Sequence, residues 1–446
     1  GFFVVDSGSG RLFTRDGSFD VDSENYLVDP STGYRVQRTG TVGEENGFQE
    51  SGDSGIRIPS DTVLPSSPTN TVDFSGNLSA NDNSATTTEL VACGDGFQRT
   101  SDAGGGSAAA SDDFSAIEQL SGFNRGDSIT ISGRSRQGAS VSGRFTYGQA
   151  NYGTTLQDLL NKIETTFENS DTPVSASLED GKIRVKSREA GYSLLDVGLE
   201  SSSHEGALPG EFDYAKVGGA GSQTTNVTLF DRQGREHSMT ATFVRQDETA
   251  NIWDLVVNEV EGASEVTDRR TAGITFDDSG AFREVTGEDG FGNSSAGETG
   301  DVGGFTALFP GVSEAQTFSG QFGQSGNYDG LTQMGGESTA GAVDQDGHGS
   351  GTLDGVTVDN TGVVRGTFTN GVTKDIAQLA VAVFDNPRGL ESAGQNFYRQ
   401  VPSTGDARIT SAGSGRAGIM RQSVLEEANV DIAEEFSKLV TAQRGF

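Results

Sequence analysis

Apolar residues in this chain rarely run together. Val, Ile, Leu and Phe alternate with Ser, Thr and Asp, and 64 glycines but only 9 prolines punctuate the 446 residues. Alternation at period two sends successive side chains to opposite faces of an extended strand, and closely spaced glycines end such strands in tight turns. The chain is thereby confined to many short strands over modest cores. Hydrophobic residues make up 33% of it, below a usual ~45–50% that also counts glycine. The fold class expected is mainly β with a minor α+β part. The length suggests about three domains.

The formal net charge is −33, from 64 acidic and 31 basic residues. Such a surface repels phosphate, so nucleic acid is excluded as a partner, and anionic membrane surfaces are disfavoured for the same reason. No apolar run approaches the ~20 residues of a membrane span, and no signal peptide is visible. The acidic residues are spread along the whole chain, which reads as solvation, or adaptation to high salt, rather than a binding site.

Local signals place a few elements. Turns are expected at Ser7–Gly10, Asp16-Gly17, Glu24-Asn25 and Ser31–Gly33. Ser128–Ser132 and Ser140–Tyr147 read as strands. Thr155 to Phe167 reads as a helix: Thr155 and Asp158 have capping-box spacing, and Leu156, Leu159, Leu160, Ile163 and Phe167 form one stripe. Ser175–Leu178 and Lys182–Lys186, joined at Asp180-Gly181, read as a hairpin against that helix. The Gly/Ala/Ser/Asp stretch from Asp102 to Asp113 is expected to be a flexible loop, and residues 286–304 a mobile surface loop. Near the end, Asp431 can cap a helix with Glu434 three residues on, and Ile432, Phe436, Leu439 and Val440 share one apolar stripe. This amphipathic helix has only begun when the chain stops. The chain also starts at Gly1 without Met, so a missing partner helix and native start are expected elsewhere.

Candidate chemistry is sparse. His204, His237 and His348 are far apart in polar segments and read as surface histidines, with no zinc, hydrolase or nucleotide-loop motif around them. Asp344-Gln-Asp346 and Asp277-Asp278-Ser-Gly280 superficially suggest calcium loops. They lack the further oxygen ligands and late glutamate that such loops need, and turn chemistry accounts for them. No catalytic, cofactor-binding or metal residue is therefore assigned, and no cofactor is expected. Cys93 is the single cysteine and cannot form an intrachain disulfide. It reads as an incidental thiol.

Four blocks in order carry a resemblance. Gly1-Phe-Phe-Val-Val5, Leu12–Phe19, Tyr26–Val28 and Gly33 resemble the N-terminal motif of bacterial flagellar rod and hook proteins, with Phe13 where Tyr is usual. Thr224 through Trp253 is similar to a middle segment of hook proteins. Gly351–Val358, Ile376–Phe384, Asn386–Leu390 and Gly394–Asn396 look like their C-terminal run, and Leu425–Phe436 resembles the closing signature of the axial family. The ordered set covers roughly half the chain. Rod proteins share the two ends but lack the middle domain.

The resemblance implies a structural, non-enzymatic subunit of the flagellar hook, a curved tube that joins the rotary motor to the filament and bends as it turns. It implies self as the main partner, with the distal rod, hook–filament junction proteins and hook cap as neighbours, an extracellular position, and delivery by the flagellar export apparatus. It implies three nested domains. Residues 1–75 with 335–446 form a β-rich core domain from both chain ends, 76–84 with 219–334 a middle β domain, and 85–218 an inserted outer α+β domain. Ile432, Phe436, Leu439 and Val440 become the candidate assembly face. In some members a Cys of one subunit is joined to a Lys of the next, which makes Cys93 a candidate intersubunit crosslink. Without its partner helix the chain is expected to stay monomeric. A distal-rod or other axial protein, or a secreted acidic β-rich adhesin or hydrolase, remain the alternatives.

Overall fold

In the computed structural model the described residues are all but 82–85, 150–151, 202–207, 209–211, 247–250, 293–302, 423, 425–431 and 445–446. The chain divides into two compact units, Gly1–Pro65 with Ser350–Phe446, and Ser66–Gly349.

The first unit joins the two ends of the chain in one sheet. Phe2–Asp6 pairs with Arg11–Thr14 on one side and Arg35–Val36 on the other, and Phe2–Phe3 also pairs with Val381–Ala382. Arg11–Thr14 continues the sheet to Phe397–Arg399 and Glu391–Gly394. A second sheet runs Thr373–Gln378, Val363–Phe368, Gly351–Val358, Val63–Leu64. Alternation decides which side chains meet. Phe2, Val4 and Phe13 bury against Ala382 and Phe384. Val5, Leu12 and Val36 bury in a separate cluster with Phe48, Ile56, Phe368 and Ile376. The Phe384 ring meets Phe2 and Phe13 edge-on at 5.8 and 4.8 Å, each such pair adding about 0.5–1.5 kcal/mol beyond area burial. Gly43 is required where it stands: its φ is +85°, and a Cβ there would sit 1.8 Å from the Ile376 carbonyl oxygen.

The second unit holds two hydrophobic cores. One belongs to an α+β body. Its sheets are Ser140–Thr146, Ser128–Arg134, Asp196–Glu200, and Val174–Glu179, Lys182–Ser187, Leu90–Cys93, Phe212–Lys216. Helix α1 (Leu156–Glu168) buries Leu156, Leu159, Leu160, Ile163 and Phe167 among them. Both halves of the Thr155/Asp158 capping box are formed. The hairpin turn places Asp180 and Gly181 at φ +51° and +79°, the left-handed pair that a tight two-residue connection demands. Asp102–Asp113 departs from the flexible loop expected of it. Asp112 pairs with Arg99 at 2.6 Å and accepts from the Ala109 amide, and Ala108 is buried, so polar anchors hold a stretch whose composition alone suggests none.

The other core is a β sandwich. One sheet runs Phe282–Val285, Arg270–Phe276, Ile252–Val260, Glu236–Arg245, Gly219–Phe230, Thr86–Thr87. The facing strands are Glu265–Thr267, Gly304–Leu308, Gln316–Gln321, Thr71–Ser79 and Leu331–Met334. Trp253, Phe243, Met239, Phe74 and Phe318 fill the space between. Thr71–Ser79 is its keystone, paired parallel to Gln316–Gln321 and Leu331–Met334 and antiparallel to Gly341–Gln345. One continuous strand cannot be cut at residue 75 without breaking these ladders. The two compact units divide at Pro65/Ser66 and Gly349/Ser350. Of the loop expected over 286–304, residues 293–302 lie outside the described set. Its start is tied down by the Thr286 amide bond to Gly273 and the Phe291 amide bond to Asp289.

Candidate functional site

The residues singled out for chemistry are occupied with structure. Asp346 accepts from the Asn70 and Thr71 amides at 2.7 and 3.0 Å, anchoring the entry of the keystone strand. Asp277 accepts from the Ser279 and Ala281 amides and the Ser279 hydroxyl within one turn. His237 is buried rather than exposed as the sequence suggested. It stacks on Phe309 at 4.1 Å, and its ring nitrogens face the Glu261 carbonyl and Asp231. His204 lies outside the described residues. Among those residues no group of three or more His, Cys, Asp or Glu is placed to hold a metal ion, and no helix is long and apolar enough to cross a membrane.

Cys93 is buried in the α+β core. Its sulfur faces the Asp95 carbonyl and accepts from the Ile183 amide, both at 3.1 Å. Burial pushes the thiol up to about 11. A thiol is reactive as an accessible thiolate, so both features count against a crosslinking role.

The C-terminal stripe lies on helix α2 (Ile432–Arg444). Phe436, Leu439 and Val440 are 64%, 56% and 38% exposed. Three large apolar side chains on one helix face thus stay open to solvent, as an assembly element requires. The side chain of Ile432 and the proposed cap Asp431 are outside the described residues.

A polar cluster that the sequence does not announce sits where the α+β body meets the sandwich. Arg270 Nη1 donates to Asp254 Oδ2 at 3.0 Å and Nη2 to the Ser193 carbonyl at 3.0 Å. The Tyr192 hydroxyl also donates to Asp254, and the Arg270 guanidinium lies over the Tyr192 ring at 5.2 Å. Gln246 and the Gly273 amide satisfy the other Asp254 oxygen at 2.8 and 3.0 Å. Glu89, wholly buried, stands 3.8 Å from Arg270 Nη2. Around them Asn258 donates to the Tyr214 carbonyl at 2.7 Å, and Arg269 pairs with Asp213 at 2.9 Å. Burial raises the Tyr192 and Tyr214 phenols above their ordinary range, so both stay neutral. These bonds join two bodies; no group among them is placed as a nucleophile.

Comparison with known proteins gives this arrangement its context. Residues 1–80 match the flagellar hook protein FlgE/F/G D1 domain, and residues 200–348 match the flagellar basal body protein FlaE D2 domain. The chain belongs to the flagellar hook protein family. The flagellar hook protein FlgE of Borreliella burgdorferi is 32% identical over 250 residues, 54% of this chain and 52% of that protein. FlgE of Treponema pallidum is 32% identical over 241 residues, 50% and 52% of the two chains. The chain spans about half the length of these curated relatives. The solved Helicobacter pylori flagellar hook protein FlgE2 aligns over 96% of this chain and 97% of its own, at 15% identity and a TM-score of 0.39. The D1 match falls on the N-terminal strands of the end-built unit and on the whole keystone strand Thr71–Ser79. The D2 match falls mainly on the sandwich. The hook family is structural and not enzymatic.

Proposed function

We propose that this chain is a structural subunit of the bacterial flagellar hook, polymerising with copies of itself into a curved, flexible tube that carries motor torque to the filament. The observation that carries this reading is the ordered pair of hook-family matches, D1 at 1–80 and D2 at 200–348, on one chain. The exposed Phe436, Leu439 and Val440 support α2 as the assembly element. In this reading the end-built unit, the sandwich and the α+β body act as core, middle and outer domains. The subunit is delivered outside the cell by the flagellar export apparatus and meets the distal rod, the hook cap and the hook–filament junction at the ends of the tube.

A bending tube needs contacts that rearrange, which favours polar surfaces over one fixed apolar interface. A chain of net charge −33 packs against copies of itself only when salt screens it, over ~8 Å at physiological strength. The location is tested by gold-labelled antibody against residues 85–218 on intact flagella of the source cells. Label confined to the short segment between cell body and filament is expected. Label along the filament or on the cell wall would contradict the reading.

A further inference from the structure

We propose that the buried cluster around Arg270 is a proton-dependent clamp that fixes the α+β body on the sandwich, with Glu89 as its titrating member. The cluster lies wholly within the unit Ser66–Gly349, so the clamp is independent of the hook reading.

The two carboxylates that share Arg270 are unequally served. Asp254 receives the Arg270 guanidinium, the Tyr192 hydroxyl, the Gln246 amide and the Gly273 amide. Glu89 has only the 3.8 Å approach of Arg270, and neither of its oxygens has a hydrogen bond of good geometry, although the Ser193 hydroxyl and the Leu195 and Gly218 amides face it. One guanidinium cannot neutralise two buried carboxylates. Other titratable and charged groups of the junction include Tyr192, Tyr214, Asp196 and Arg136, with Arg269 already committed to Asp213. Arg136, which donates to the Tyr192 carbonyl, is paired with Glu189, so among the described residues no second cation pairs with Glu89. An ionised Glu89 leaves a surplus negative charge inside, and a protonated one does not.

Burial pushes Glu89 up to about 7, against the pull of Arg270. Its folded value is thus above its unfolded value of 4.5. Between those two values the folded state binds more protons than the unfolded state. The contribution is full below 4.5, falls as pH rises toward 7, and stays low above it. The clamp is tight in mild acid and loosened in mild alkali. Its bonds bridge the two bodies directly: Tyr192, Ser193, Asp213 and Tyr214 come from one, and Arg270, Asp254, Arg269 and Asn258 from the other. Loosening is therefore expected to free their relative angle.

The test uses residues 1–446, as wild type, Glu89→Gln and Tyr192→Phe. Thermal midpoints of the inserted unit are read from pH 4.5 to 8.5, with small-angle scattering at pH 5.5 and 8.5. At pH 8.5 Glu89→Gln is expected to melt about 3–8 °C above wild type, with the gap closing near pH 4.5. Tyr192→Phe loses the hydroxyl bond to Asp254 but keeps Glu89, so its midpoint should drop at every pH while its slope stays that of wild type. Scattering should broaden at pH 8.5 for wild type and not for Glu89→Gln. A Glu89→Gln slope equal to that of wild type would overturn Glu89 as the titrating group. Wild-type scattering curves that superpose at the two pH values would overturn the clamp.

Discussion

The two units of this molecule place their charges differently. The end-built unit carries 22 acidic and 14 basic residues, and the inserted unit 42 and 17. In the first, most ion pairs lie at the surface, as in Arg35–Glu24, Arg57–Asp61, Arg365–Asp375 and Arg408–Asp385. Its interior rests on aromatic contacts among Phe2, Phe13, Phe384 and Tyr398. The second takes charge inside. Glu89, Asp231, Asp254 and Arg245 are all at most 1% exposed. Exposed pairs contribute little and are screened, whereas buried ones make the fold depend on each partner. The inserted unit should accordingly be the half that responds to pH and to single charge deletions.

Arg270→Met should break this contrast most sharply. It leaves Asp254 and Glu89 buried without their cation, at a cost of about 3–5 kcal/mol. In calorimetry the transition of the inserted unit should fall while that of the end-built unit holds. Phe384→Ala is the converse experiment. It empties a position that touches two rings, costs about 3–5 kcal/mol, and should lower only the transition of the end-built unit.

Those partners explain what sequence could and could not reveal. Helix α1 is legible because its cap, its stripe and its hairpin neighbour are all local. Thr155, Asp158, Leu156 through Phe167 and Asp180-Gly181 lie within 27 residues. The joining of the chain ends is legible through the ordered blocks that resemble hook proteins. The Arg270 cluster is not, because Glu89, Tyr192, Asp254 and Arg270 are separated by up to 181 positions. In a chain with 64 acidic residues, a carboxylate is read as a surface group by default. The partners of the keystone strand are hidden for a related reason. Thr71–Ser79 pairs in parallel with strands about 250 residues away. The exposed face of α2 is legible as a stripe, but a stripe does not say whether it is covered. The openness of Phe436 and Leu439 does.

Smaller changes sharpen the comparison. Thr155→Ala removes the N-cap of α1 and should cost the inserted unit about 1 kcal/mol, read as a midpoint shift of a few degrees. Arg408→Ala removes a surface pair on the end-built unit and should cost less than about 0.5 kcal/mol. Both effects should shrink only where charge carries them: molar salt should abolish the second and spare most of the first.

The central claim is assembly through the exposed face of α2. Its most direct test is electron microscopy of the full-length protein over a salt series, as wild type and as a Phe436→Ser/Leu439→Ser double variant. Wild type is expected to form curved tubes of uniform diameter, with yield rising from dilute to saline buffer, and the variant to remain as particles. Tubes of equal yield from the variant, or no tubes from wild type at any salt, would contradict the account.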